Sequence, residues 1–182
     1  MKWPEWWQWE LEFTSHLLRR MEDRAFSEMD LREMLERARA YRPDIIVGRW
    51  VIETRHSGKE WLVIVEPDFE ERRLIVVTAY RSGRAERPTA SVKMKGRYLD
   101  VTFRNGKPFA AYLYLPRSDG EKSVRSAEAA PGILVDYGRS GRPIGLEITA
   151  PEQVSVLEVN AVLEKLGLEK ALPGELAPLR AA

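Results

Sequence analysis

Residues Thr14–Ala40 read TSHLLRRMEDRAFSEMDLREMLERARA, and this stretch predicts two short helices joined by a tight turn. Thr14 and Ser15 are suitable N-cap residues, because a side-chain oxygen at that position accepts a hydrogen bond from a backbone N–H of the first turn. Ser27, followed three residues later by Asp30, has the spacing of a capping box and marks the start of the second helix. Leu, Met and Ala recur at helical spacing in both segments, so each helix is expected to bury one face.

The first predicted helix also gathers basic side chains along one edge. At roughly 100° per residue, His16, Arg20 and Arg24 span only about 80° beside the apolar face. Cleavage of RNA without a metal needs a group that exchanges protons and cations that hold the charge of the phosphorane. An imidazole does the first near neutral pH, and a guanidinium binds phosphate through paired N–H donors. We interpret the three residues as candidate catalytic groups; the alternative is that His16 packs and the Arg residues pair with neighbouring acids.

Downstream of the helices, apolar segments separated by turns predict an antiparallel meander. Pro43, between an Arg and an Asp, is expected to end the second helix, because proline disfavours helical geometry in the residue before it. Arg55 and His56 lie at the end of the first strand of the meander and Tyr80 at the end of the last. These three residues are therefore added to the candidate catalytic site, where the sheet meets the helices. The strands predicted for this half are Trp9–Phe13, Ile45–Arg55, Trp61–Glu66 and Leu74–Tyr80.

The amino-terminal segment MKWPEWWQW, residues 1–9, holds four of the six Trp residues. Trp3, Trp6 and Trp7 have helical spacing. Clustered indoles are costly to leave in water, so the segment is expected to cover an apolar surface, as a lid on the sheet or a dimer contact. Stacking on nucleic-acid bases is the alternative.

The second half consists of short strands and a final helix. Residues 82–96 combine Ser, Gly, Pro and charge without apolar periodicity, which predicts a linker. Asn105-Gly106 predicts a hairpin turn. The final helix is expected to open at Pro151 and to end at Gly167. The strands predicted here are Tyr98–Phe103, Phe109–Leu115, Ser123–Ala129, Ile133–Tyr137 and Ile144–Thr149.

Length and composition fit two small domains. The 182 residues are 44% hydrophobic and 31% charged with net charge +1, as in an ordinary globular protein. We predict an α+β fold: residues 1–81 form a helix pair with an antiparallel meander, and residues 97–182 form an antiparallel sheet with a C-terminal helix. No segment approaches the roughly 20 apolar residues of a membrane span, so no membrane partner is expected. Acidic residues interrupt any secretory pattern at the amino terminus and the chain has no Cys, so a cytoplasmic protein is expected.

Composition also limits which metal sites and which nucleic-acid contacts are expected. The chain has no Cys, and its two His residues, His16 and His56, form no HxxxH spacing. Neither a metal nor a cofactor is therefore predicted. Net charge near neutrality is not that of a strongly basic nucleic-acid binder, so any RNA contact must come from locally placed Arg residues.

Residues 9–81 resemble the bacterial domain of unknown function numbered 4258. The resemblance is carried by the pattern T-x-H-x-x-x-R-M-x-x-R and by the strands GRWVIETR, WLVIVEPD and LIVVTAY. Ala25 stands where that family usually has Gly. The family is grouped with the RelE-like and barnase-like toxin superfamily, so the resemblance implies a metal-independent endoribonuclease of the mRNA interferase type. The residues of the pattern are Thr14, His16, Arg20, Met21, Arg24, Ser27, Glu28 and Asp30.

Residues 97–179 resemble the domain of unknown function numbered 2283. The carrying stretches are PGILVDY at residues 131–137 and GRPIGLEI at residues 141–148. The first hairpin departs from the usual Tyr-Asp pattern of that family. This domain is regarded as an antitoxin-like partner of the first, so the resemblance implies that the C-terminal domain neutralises the toxin-like domain, in cis or swapped within a homodimer. RNA is the other candidate partner. The alternative is a two-domain scaffold or dimerisation module that has lost its catalysis.

Overall fold

The computed structural model describes residues 2–82, 96–118 and 120–179. The chain divides into two compact units, Met1–Ser82 and Gly83–Ala182. Each unit has a mainly antiparallel sheet and a hydrophobic core of its own, which confirms the α+β class with two small domains. The predicted linker, residues 82–96, lies outside the described residues except at its two ends.

In the first unit, two helices pack on a sheet whose described strands have the order β1-β5-β4-β3-β2. Neighbouring strands are antiparallel except β1, which runs parallel to β5. Helix α1 packs on β5 and helix α2 on β3. The elements are β1 (Glu10–Phe13), α1 (Ser15–Asp23), α2 (Glu28–Glu36), β2 (Ala40–Pro43), β3 (Trp50–His56), β4 (Lys59–Asp68) and β5 (Arg73–Arg81).

Both predicted helix starts are confirmed. The Leu17 N–H donates to Thr14 Oγ1 at 3.2 Å, which caps α1. At the start of α2 the Asp30 N–H donates to Ser27 Oγ and the Ser27 N–H donates to Asp30 Oδ2, so the capping box is complete. The apolar faces are confirmed too, because Leu17 and Leu31 belong to the core beneath the helices.

In the first unit, the largest differences from the predicted boundaries are at the end of the second helix and at the start of the strand predicted from Ile45. The second helix ends at Glu36, and residues Ala40–Pro43 form β2, because the Tyr41 ring packs against Trp50 with ring centroids 5.5 Å apart. The strand expected from Ile45 begins only at Trp50. Gly48 has φ +90°, a left-handed conformation that interrupts an extended chain.

The Trp-rich amino terminus forms a short 3₁₀ turn, Glu5–Gln8, and Trp6 is buried in the core of the first unit. Its ring centroid lies 5.6 Å from that of Trp50, while Trp3 and Trp7 stack on each other at 4.1 Å. The segment therefore covers an apolar surface, as expected.

In the second unit, α3 covers one face of a sheet with the strand order β6-β7-β10-β9-β8 in the described region. The helix begins at Val156 with Ser155 as its N-cap, not at Pro151, because Ser155 and Glu158 form a capping box. Gly167, with φ +72°, follows the helix end as predicted. The elements are β6 (Tyr98–Arg104), β7 (Lys107–Tyr114), β8 (Arg125–Ala130), β9 (Ile133–Tyr137), β10 (Pro143–Ile148) and α3 (Val156–Lys165). Within the described ranges, no helix has the length and apolar character to cross a membrane.

Candidate functional site

Three of the six predicted site residues lie together on the edge of α1. His16, Arg20 and the C-cap residue Arg24 follow one another at intervals of four residues, so they form one line along the helix. Their exposed fractions are 1%, 0% and 3%, which is unusual for two guanidinium groups. We refer to these three residues as the basic edge.

Arg24 links the end of α1 to the sheet by hydrogen bonds. Its Nη1 donates to Thr78 Oγ1 at 2.8 Å and to the Ala79 carbonyl oxygen at 3.0 Å, both in β5. The next residue, Ala25, has φ +54°, the left-handed conformation typical of glycine after a helix. The Gly that is usual at this position therefore has a conformational reason, and Thr78 is a site residue that sequence reasoning missed.

Arg20 is ion-paired within its own helix. Its Nη2 lies 2.9 Å from Asp23 Oδ2, and both side chains are largely buried. Arg20 is therefore paired with a neighbouring acid, which is the alternative to a catalytic role given in the sequence analysis. Asp23 is a second residue that the sequence analysis did not assign to the site, although its i, i+3 spacing from Arg20 is a recognisable signal.

Arg55 and Tyr80 differ from His56 in the face of the sheet that they occupy. Trp61 of β4 belongs to the core beneath the helices, so its neighbours Glu60 and Leu62 point to the opposite face of the sheet. Arg55 pairs in register with Glu60, and Tyr80 with Leu62. Alternation along the strands therefore places both side chains on the sheet face opposite the helices, and Tyr80 lies two residues from Thr78, which Arg24 contacts.

His56 faces the helices but meets α2 rather than α1. Its Nε2 lies 3.3 Å from Asp30 Oδ1, and its Nδ1 lies 3.2 Å from Glu33 Oε2. The pKa of Asp30 is lowered, mainly by hydrogen bonds from the Ser27 side chain and backbone and further by the nearby His56, against a smaller opposing effect of burial. His56 is thus part of a separate cluster at the start of α2.

In the second unit, polar groups gather on the sheet face opposite α3. The Tyr112 hydroxyl donates to Asp136 Oδ2 at 2.9 Å, and the Ser126 hydroxyl donates to Asp136 Oδ1. Gly145 lies beside the Tyr112 ring, and a Cβ atom there would come within 2.1 Å of the Tyr112 oxygen. The PGILVDY and GRPIGLEI stretches thus supply a buried carboxylate and the space that its tyrosine partner needs.

Comparisons with known families agree with this two-unit organisation. Residues 13–81 match the model of a domain of unknown function, DUF4258. Residues 110–150 match the model of a protein family of unknown function, DUF2283. A search of curated proteins and a search of solved structures each returned no significant match. Both family resemblances drawn from the sequence are confirmed over these residues: the first unit contains a match to DUF4258 and the second a match to DUF2283.

Proposed function

We propose that the first unit is a RelE-like, metal-independent endoribonuclease and that the second unit neutralises it, in cis or swapped within a homodimer. The observation that carries the proposal is the basic edge of α1, where one imidazole and two guanidinium groups share a line along the helix. A cytoplasmic location, where such an enzyme meets its RNA, belongs to the proposal.

The chemistry follows from the residue types on the basic edge. In RNA cleavage the ribose 2′-oxygen attacks the adjacent phosphorus, the 5′-oxygen leaves and takes up a proton, and a 2′,3′-cyclic phosphate forms. His16 is the group that removes or returns the proton. Arg20 and Arg24 supply positive charge where the phosphorane becomes more negative than the ground state, so they bind the transition state more tightly.

The basic edge has to open before it can meet RNA, because Arg24 is bound to β5 and Arg20 to Asp23 within the first unit. A polynucleotide cannot place a phosphate against side chains that are 0–3% exposed unless they first become accessible. A neutralising unit joined by a linker of about 15 residues would act at a millimolar effective concentration. The intact chain is therefore expected to leave RNA uncut.

The decisive experiment compares the full chain with residues 1–82. This segment contains its own sheet and core, so it is expected to fold alone. Circular dichroism and Trp fluorescence would test whether it does. Residues 1–82 should cleave RNA in the presence of EDTA and leave 2′,3′-cyclic ends, whereas the full chain should not. A folded segment that leaves RNA intact would refute the enzymatic proposal.

Variants of residues 1–82 test which side chains are needed for RNA cleavage. His16→Ala and Arg24→Ala should abolish cleavage. Arg37→Ala is the matched control, because it removes one positive charge from the C-cap of α2, at a side chain that is 67% exposed. Equal loss of cleavage in all three variants would point to non-specific charge rather than to the basic edge.

A second candidate function is a non-enzymatic two-domain scaffold or binding module. The Arg20–Asp23 ion pair favours it, because a guanidinium already held by a carboxylate is less available to phosphate. In that case folded residues 1–82 would leave RNA uncut, and His16→Ala would not change their behaviour. Salt-dependent RNA binding without cleavage would instead indicate an RNA-binding regulator.

A further inference from the structure

The cluster of Asp30, Glu33 and His56 has the composition of a metal site. Two of its members lie on α2 and the third at the end of β3. One donor atom from each side chain can be chosen so that all three lie within 4.8 Å of one another. We propose that these residues bind a divalent first-row transition-metal ion, Zn²⁺ or Mn²⁺. The site is independent of the RNA cleavage proposed above.

The spacing of one pair of donor atoms, from His56 and Asp30, fits an ion bound between them. Nitrogen and oxygen ligands bind Zn²⁺ at about 2.0–2.2 Å, so two ligands of one tetrahedral ion lie about 3.4 Å apart. His56 Nε2 and Asp30 Oδ1 are 3.3 Å apart. Glu33 Oε2 lies 3.2 Å from the other ring nitrogen, so its carboxylate has to turn towards the Nε2 side to complete the site.

In each of the two carboxylates, one oxygen makes a contact outside the cluster and the other oxygen is available to an ion. Asp30 Oδ2 accepts hydrogen bonds from the Ser27 N–H and hydroxyl, each at 2.7 Å, which leaves Oδ1 towards His56. Glu33 Oε1 pairs with Arg37 Nη1 at 2.7 Å, which leaves Oε2 towards His56. Such outer contacts are typical of metal sites. The two contacts from Ser27 hold Asp30 in place, whereas the pair with the exposed Arg37 leaves the Glu33 carboxylate able to turn.

The donor set also indicates the kind of ion. An imidazole nitrogen with two carboxylate oxygens suits Zn²⁺ or Mn²⁺ better than Mg²⁺ or Ca²⁺, which prefer oxygen ligands alone. Three protein ligands leave further coordination positions to water.

The competing explanation is that a protonated His56 itself acts as the cation between the two acids. In that state both ring nitrogens donate, one towards Asp30 and the other towards Glu33. His56 Nδ1 is buried without a well-aligned hydrogen bond in the described residues, which is a weakness of this explanation.

Isothermal titration of the full chain with ZnCl₂, and separately with MnCl₂, tests the site after removal of metal with a chelator. One ion per chain should bind at neutral pH, and MgCl₂ should not compete. His56→Ala and Glu33→Gln should each weaken binding by about 100-fold or more, because the loss of a ligand costs at least as much as the loss of an outer contact. Glu36→Gln is the matched control, because it removes a carboxylate from the last residue of α2 outside the cluster.

A spectroscopic readout separates this site from adventitious binding elsewhere. Co²⁺ bound by the wild-type chain should give visible absorption bands that disappear in Glu33→Gln. Absence of saturable binding, or binding of equal strength in His56→Ala, would overturn the proposal. If His56→Ala does not fold, Glu33→Gln decides alone, because Glu33 is partly exposed and its replacement is expected to keep the fold.

Discussion

Replacing Gly145 with Ala should destabilise the second unit strongly. A Cβ atom at this position would lie 2.1 Å from the Tyr112 hydroxyl oxygen and 2.2–2.3 Å from two ring carbons, far inside van der Waals contact. Tyr112 is fully buried, and its hydroxyl donates to Asp136, so the ring cannot move aside without losing that hydrogen bond.

The expected cost has two parts. Overpacking of a tight core costs about 1–3 kcal/mol. A hydrogen bond to a charged group contributes about 1.5–3 kcal/mol, and here it is broken or bent when the ring moves. The two parts together predict that Gly145→Ala lowers the free energy of unfolding by about 4 kcal/mol, a large share of the roughly 5–15 kcal/mol of a typical domain.

Urea denaturation followed by circular dichroism measures this change. Gly174→Ala is the matched control, because a Cβ atom at Gly174 meets nothing within 4 Å. The double variant with Tyr112→Ala should recover the steric part, since removal of the ring removes the clash. If Gly145→Ala costs no more than Gly174→Ala, the close packing of Gly145 against Tyr112 is refuted.

Three further outcomes follow from the geometry. Ala25→Gly should raise the unfolding free energy of the first unit by about 1 kcal/mol in a urea titration, because it relieves the left-handed φ. Thr78→Val should lower it by about 1 kcal/mol, because Arg24 loses one acceptor. The pKa of Glu175 is lowered, mainly by the side-chain hydrogen bond from Arg97, so its stabilising contribution is present above its ordinary value of 4.5 and is lost as the pH falls through the lower folded value. Glu175→Gln should therefore flatten the acid side of a melting-temperature profile.

Local signals predicted the helices well because their causes lie within a few residues. The Thr14 cap, the Ser27–Asp30 capping box and the apolar stripes all act inside one or two turns. The same locality explains why the alignment of His16 with Arg24 was visible from periodicity alone.

Packing between residues far apart in sequence explains where the structure differs from the sequence-based predictions. Residues Ala40–Pro43 form an edge strand because they pair with β3 and because the Tyr41 ring packs against Trp50. The four residues themselves carry no strand signal. The faces of Arg55 and Tyr80 depend on the register of three strands and on a bulge between Ile64 and Val65. His56 meets Asp30 across 26 positions of sequence, a distance that no spacing rule covers.

The parallel pairing of β1 with β5 sets the order of events during synthesis. Glu10 lies opposite Arg73, so the amino-terminal strand waits for β5 before the first sheet is complete, and nothing beyond Ser82 is needed to finish it. Ribosomes add about 5–20 residues per second, so the 100 residues of the second unit take about 5–20 s more. A nascent chain can therefore complete its first unit while the second is still being synthesised, and during that interval the first unit is present without a complete neighbour.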